Sequence, residues 1–331
     1  MTTKNKLLTL LLVSSGAAAS IATINKFIQV SAVSKHTLYS SKSEPLCYHW
    51  HLGNIHYTKT GQGNPILLLH DLTPSSSGYE WHKMVSELSK NRCVYVLDLL
   101  GCGRSEKPNM TYTNYLYVQL ISDFIKNTIG HRTDVIATGS SSPLVTMACS
   151  ANPDLFNRLI FINPDSLLSC SQVPRKHSKL FKFILDLPLV GTLLYYIATS
   201  RQSIKEMLSQ KCYCNPYSMS ALDEDAYYEA AHLGESPKSI FGSISCNYVK
   251  CNIVNALKKI DNSIYLIGGE EFPHITEIME EYKLYNPAIE SAILPKTKQL
   301  PQLENPKELC KLIDTFFCTL TDTEEDSPSV N

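Results

Sequence analysis

Asp134-Val-Ile-Ala-Thr-Gly-Ser-Ser-Ser-Pro143 is the stretch whose reading decides the fold. Asp134 to Thr138 is a β-type apolar run, and Leu144 to Cys149 follow it at helical spacing. A strand that enters a helix through Gly139-Ser140-Ser141-Ser142-Pro143 is one unit of a pattern that extends both ways along the chain. Upstream, Ile66-Leu-Leu-Leu69 ends at His70-Asp71, and Cys93-Val-Tyr-Val-Leu97 ends at Asp98. Downstream, Leu159-Ile-Phe-Ile162 ends just before Asp165. Trp81, Met84, Val85 and Leu88 recur at helical spacing between the first two runs. Leu116, Leu120, Phe124 and Ile125 do so before the third, with Thr113 placed to cap that helix and Gly130 to stop it. Continuous apolar strands are buried on both faces, and their alternation with helices predicts a doubly wound, mostly parallel sheet. Ligands on such sheets bind at the carboxyl ends of the strands, where His70, the loop after Asp98, Ser141 and Asp165 all fall. Before the first parallel strand, Leu46–Leu52 and Ile55–Thr60 joined by Gly53-Asn54 predict an antiparallel hairpin.

Bulk composition allows this fold. At 331 residues, 44% hydrophobic and 18% charged, the chain is long enough for one large globular domain with an insertion. A net charge of −1 supplies no basic field for nucleic acid or acidic lipid, so no nucleic-acid partner is expected. Eleven cysteines are present. Cys47, Cys93, Cys102, Cys149, Cys170, Cys310 and Cys318 lie among apolar residues and read as small buried hydrophobes. Cys212, Cys214, Cys246 and Cys251 fit no zinc spacing and read as packing or a loop disulfide, so no metal and no cofactor are expected.

The N-terminus, residues 1–36, reads as a separate piece. Lys4 and Lys6 precede Leu7 to Ile24, which carries no charge. That length is at the lower limit for a membrane span, so residues 7–24 predict a single-pass N-terminal anchor. The alternative is a secretory signal, with Ala17-Ala18-Ala19 as its cleavage site. Lysines before the span outnumber those just after it, which weakly favours an extracytoplasmic domain; free thiols favour a reducing compartment.

Asp98-Leu-Leu-Gly-Cys-Gly-Arg-Ser105 followed by Glu106-Lys-Pro108 resembles the glycine turn after the fourth strand of the α/β-hydrolase family, in the subgroup with an inserted helical cap. The resemblance covers residues 46–165 and 258–318 and implies the organisation 37–165 (first half of the core), 166–250 (cap), 251–320 (second half) and 321–331 (an acidic, disordered tail). It also implies a serine nucleophile on a sharp strand–helix elbow, activated by a histidine that an acid orients. Ser141 stands at the nucleophile position, with Gly139 two residues before it and Pro143 replacing the second glycine. The oxyanion hole would use the backbone N–H groups of Ser142 and Leu72, and His70-Asp71 replaces the family's His-Gly. His70, Asp71 and Ser140 would line the ligand pocket.

The remaining positions depart from the pattern. Phe272 stands where the acid is expected, leaving Asp165 or Glu271 as substitutes. Gln299 stands where the histidine is expected, and an amide cannot accept a proton near neutral pH. His70, His177, His232 and His274 occupy other places. The apolar residues 176–199 of the cap read as a pocket roof or as a surface lying on a membrane. Together these features predict a membrane-tethered pseudoenzyme that binds a small acyl or apolar ligand or a partner. An esterase-like serine hydrolase with a displaced base, and a structural or vestigial protein, are the alternatives.

Overall fold

The computed structural model describes residues 3–39 and 45–325, with side chains over 15–38 and 45–317. Eight strands form one sheet: β1 (Leu46–Trp50), β2 (Gly53–Thr60), β3 (Asn64–Leu69), β4 (Arg92–Leu97), β5 (Thr133–Thr138), β6 (Phe156–Ile162), β7 (Ile264–Gly269) and β8 (Glu290–Leu294). Their order is β1-β2-β4-β3-β5-β6-β7-β8, antiparallel through β1, β2 and β4 and parallel from β4 to β8. Trp50 pairs with Gly53, so the hairpin turns at His51-Leu52 and not at the expected Gly53-Asn54, which belongs to the second strand.

The central strands are apolar on both faces because both are covered. Ile66 and Leu68 pack with Trp81, Met84, Ile136 and Ile160 on one side of the sheet. Leu67 and Leu69 pack with Leu120, Phe124, Val135 and Ala137 on the other. Each such side chain stabilises the fold by ~1.5–3 kcal/mol relative to exposure. The helices are α1 (Thr3–Val33), α2 (Asn114–Phe124), α3 (Ser141–Ala151), α4 (Lys176–Asp186), α5 (Val190–Ala198), α6 (Ala221–His232), α7 (Pro237–Ser245), α8 (Ile275–Tyr285) and α9 (Pro306–Glu325), with shorter turns between them. Thr113 caps α2 by accepting from the Leu116 N–H, and Gly130 adopts the left-handed conformation beyond its end. Helices α4 to α7 lie in the insertion between β6 and β7.

The N-terminal helix is joined to this insertion. Asn25 Nδ2 donates to the Leu189 carbonyl (3.0 Å), Gln29 Nε2 to the Gly234 carbonyl (3.1 Å), and Lys35 pairs with Asp225 (2.7 Å). Among the described residues no single helix is long and apolar enough to cross a membrane. The span expected over 7–24 includes residues 7–14, whose side chains lie outside the described ones, so this finding does not bear on it. The tail expected over 321–331 is corrected as far as Glu325, which ends α9; residues 326–331 lie outside the described set. Cys212, Cys214, Cys246 and Cys251 are free thiols, and the Cys246 thiol donates to the Ser178 carbonyl.

The loop after β4 shows why its glycines are required. Gly103 has φ +49, and a Cβ there would collide with the Asp98 carboxylate. Asp98 accepts from the N–H groups of Gly78 (2.6 Å) and Arg104 (2.8 Å). Burial pushes its carboxyl up, but Arg104, His56 and His70 outweigh burial and hold it well below the usual range.

Candidate active site

Four strand ends deliver the candidate residues: β3 leads into His70-Asp71-Leu72, β5 into Gly139-Ser140, β6 into Asn163 to Asp165, and β7 into Glu270 to Phe272. His70 is fully buried. Its Nδ1–H donates to the Asp71 carbonyl (2.7 Å), and Nε2 accepts from the Leu99 N–H (3.0 Å). Both partners have fixed roles, so one neutral tautomer is imposed. Burial lowers its pKa further. Neither ring nitrogen is free to take a proton from a neighbour.

At the turn from β5 into α3 the residue with positive φ is Gly139, at +52. Ser140 has returned to the right-handed region, at φ −68 and ψ −9. The Ser140 N–H donates to Asp71 Oδ1 at 2.8 Å. The Leu72 N–H acts on the same carboxylate. In an elbow of this type the hole is built from the N–H after the turning residue and one from the loop after the third strand. Those two groups here are Ser140 and Leu72, and both face a carboxylate that belongs to the chain itself. Gly139 is packed against that carboxylate, and a Cβ on it would collide with Asp71.

Two expectations are corrected by this register. Ser141 lies beyond the turning residue, in the first turn of α3, fully buried, with its hydroxyl donating to the His70 carbonyl at 2.6 Å. The Ser142 N–H, expected in the hole, donates to the Gly139 carbonyl at 3.1 Å. The Leu72 N–H, also expected in the hole, acts on the Asp71 carboxylate together with the Ser140 N–H.

Asp165 sits in a different network from the one expected of a triad acid. Its Oδ2 accepts from Ser140 Oγ (2.8 Å) and from Lys250 Nζ (2.6 Å), and Lys250 also reaches Ser169 Oγ at 3.1 Å. Burial pulls the Lys250 ammonium down, but the charge and hydrogen bond of Asp165 outweigh this and raise it above its ordinary value. Lys250 is therefore a cation and not a base. Glu271 is exposed, and its backbone N–H donates to the Thr297 carbonyl. Phe272 packs against the large core cluster. Gln299 is held by its backbone, its N–H donating to Cys212 and its carbonyl accepting from Asn163 Nδ2. The other histidines are elsewhere: His177 and His274 are exposed, and His232 is buried in the cap with Nδ1 on the Tyr228 carbonyl.

Glu80 was not singled out from the sequence, where the mixed segment Gly78-Tyr-Glu-Trp-His-Lys83 gives no sign that the acid is buried. It is fully buried beneath Asp71 and accepts from the Asp71 N–H (3.2 Å), Tyr227 Oη (3.0 Å) and Gln302 Nε2 (3.4 Å). Burial, followed by the charge of Asp71, pushes its carboxyl up to about 8, so it is neutral at pH 7. Asp71 itself is pushed up to about 6, by burial first and Asp165 second; Ser140, Lys250 and Leu72 pull against them. Among the described residues no group of His, Cys, Asp and Glu is arranged to hold a metal ion.

Comparison with known proteins agrees with the fold. Residues 66–312 match the model of the alpha/beta hydrolase family. A stretch of 71 residues is 31% identical to 2-hydroxy-6-oxo-6-(2'-aminophenyl)hexa-2,4-dienoic acid hydrolase of Metapseudomonas resinovorans, covering 21% of this chain and 24% of that relative. The chain thus matches about a quarter of that relative's length. The epoxide hydrolase CorEH superposes with a TM-score of 0.70 at 19% identity, over 84% of this chain and 100% of that one. The carboxylesterase CesB of Bacillus subtilis does so with a TM-score of 0.67 at 15% identity, over 91% of this chain and 99% of that one.

Proposed function

The chain belongs to the alpha/beta hydrolase family, and from that premise we propose that it binds a small acyl or apolar ligand without hydrolysing it. One observation carries this reading: the Asp71 carboxylate sits on the Ser140 N–H and against Gly139, the turning residue, which has no side chain to attack with. Ester hydrolysis in this fold needs a nucleophile, a base and an empty pair of N–H donors for the developing oxyanion. The N–H pair holds an anion already, and Gln299 stands where the resemblance puts the base. The ligand class is taken from the family, whose relatives named above include a carboxylesterase and an epoxide hydrolase. The cap's contribution to the same cluster, through Tyr227 on Glu80, supports a binding role.

Labelling with a fluorophosphonate probe, alongside turnover of p-nitrophenyl acetate, tests the reading. No labelling above a heat-denatured control is expected. Medium-chain fatty acids should raise the melting temperature by mass action. The Ser140 hydroxyl, bonded to Asp165 with Lys250 beyond it, favours a second reading in which Ser140 is a displaced nucleophile. Strong labelling abolished by Ser140→Ala would establish that second reading and sink the first.

A further inference from the structure

We propose that the outward face of the cap is a docking surface for a lipid bilayer, entered at interfacial depth without crossing it. The observation is the orientation of α4, which is inverted relative to a helix packed for water. Its inward face carries Ser178, Lys182 and Leu185 against α7. Lys182 is buried and paired with Asp186 at 2.9 Å, and the Ser178 carbonyl accepts from Cys246. The outward face carries Leu180 and Phe183 at helical spacing, 60% and 62% exposed, and Leu187, just past the helix end, is 36% exposed. Helix α5 repeats the pattern: Val190, Leu194 and Ile197 are 46%, 44% and 60% exposed, while Tyr195 and Tyr196 are buried. Two adjacent helices that both turn apolar faces outward leave a patch larger than single exposed residues of a soluble surface require.

Geometry and charge decide what covers it. Taken together α4 and α5 have the length and composition of a membrane span, but they meet at 104°. At ~1.5 Å per residue neither helix alone reaches across a ~30 Å hydrocarbon core, so the pair lies in the plane of the interface. Arg175, Lys176 and Lys179, all exposed, stand at the start of α4, where they would meet anionic headgroups. Helix α1, which packs on α5, also exposes Ile24 and Phe27.

The test is flotation of the full-length protein with vesicles of phosphatidylcholine and phosphatidylserine at about 4:1. The variant is Leu180→Glu/Phe183→Glu/Ile197→Glu, three exposed positions whose replacement leaves the core intact, with folding checked by circular dichroism. Leu222→Glu/Leu284→Glu, at positions 61% and 75% exposed on α6 and α8, serves as the control. The parent and the control should float, and the triple variant should lose at least about tenfold in partition coefficient. Binding of the parent should weaken on vesicles of phosphatidylcholine alone. Equal flotation of parent and triple variant would assign attachment to α1 and overturn the proposal. So would a parent that does not float, or a triple variant altered only in oligomeric state by light scattering.

Discussion

A Cβ at position 139 and the carboxylate at position 71 compete for one volume, so their substitutions should not add. Gly139→Ser alone forces a side chain into positive φ and onto Asp71, and should destabilise by about 1–3 kcal/mol in urea unfolding. With Asp71→Gly in the same chain the steric part vanishes. The double-mutant cycle should return a coupling of about 1–2 kcal/mol; a value near zero would mean that the two positions do not touch. Ser141 makes a separate prediction. Its hydroxyl is buried on the His70 carbonyl, so Ser141→Ala should cost about 1–3 kcal/mol of stability and leave any probe labelling unchanged. The sequence could not settle this register. A glycine beside Ser140-Ser141-Ser142 satisfies the elbow motif two residues before a nucleophile, and it satisfies equally well the positive φ of the turning residue itself. Only the partner of the Ser140 N–H separates the two.

At the scale of elements, the buried strands were legible because their apolar runs are continuous, and α2 because Thr113 and Gly130 mark its ends. The hairpin turn was misplaced by the register of Trp50 against Gly53, which no local composition encodes. Helix α1 was read as a piece apart because its apolar residues dominate the pattern, whereas what ties it down are polar side chains, Asn25 and Gln29, reaching carbonyls far along the chain. Removing residues 1–33 should therefore loosen the cap. Amide exchange in α5 should quicken by roughly tenfold, the loss expected from hydrogen bonds of ~0.5–1.5 kcal/mol each, while exchange in β3 and β5 stays unchanged. Unaltered exchange in α5 would show that the α1 contacts contribute nothing to the cap.

For the whole molecule, the buried carboxyls set a direction for stability against pH. Glu80 keeps its proton in the folded chain up to about 8, and Asp71 up to about 6, whereas an unfolded chain releases both near 4. Between those values these two groups hold more protons in the folded than in the unfolded state, so their contribution to stability falls as pH rises through this window. Below about pH 6.5 the buried His56, His70 and His232, whose pKa values burial lowers, work in the opposite sense. The carboxyls set the sign above it, so the melting temperature should decline from about pH 6.5 to about pH 8, with a loss of stability on the order of 2 kcal/mol. Glu80→Gln, which resembles the protonated acid, should remove most of the decline; a parent whose melting temperature is flat over this range would contradict the burial argument. The sequence showed which residues reach the carboxyl end of the sheet, since that follows from strand polarity. Which of them are charged, paired or spent on one another depends on contacts from β3, β5, the cap and the segment after β8, and was not legible.

The fit between Asp71 and Gly139 also bears on how this lineage can change. A chain that acquired serine at 139 while Asp71 remained would meet a clash. A chain that replaced Asp71 first would open an unfilled hole beside a glycine and gain no reaction from it. On the proposed reading neither single step is rewarded, and hydrolysis would need several changes together, including one at Gln299. On that reading the carboxylate on the Ser140 N–H acts as a ratchet: while it is in place, no single substitution both frees the N–H pair and supplies a nucleophile.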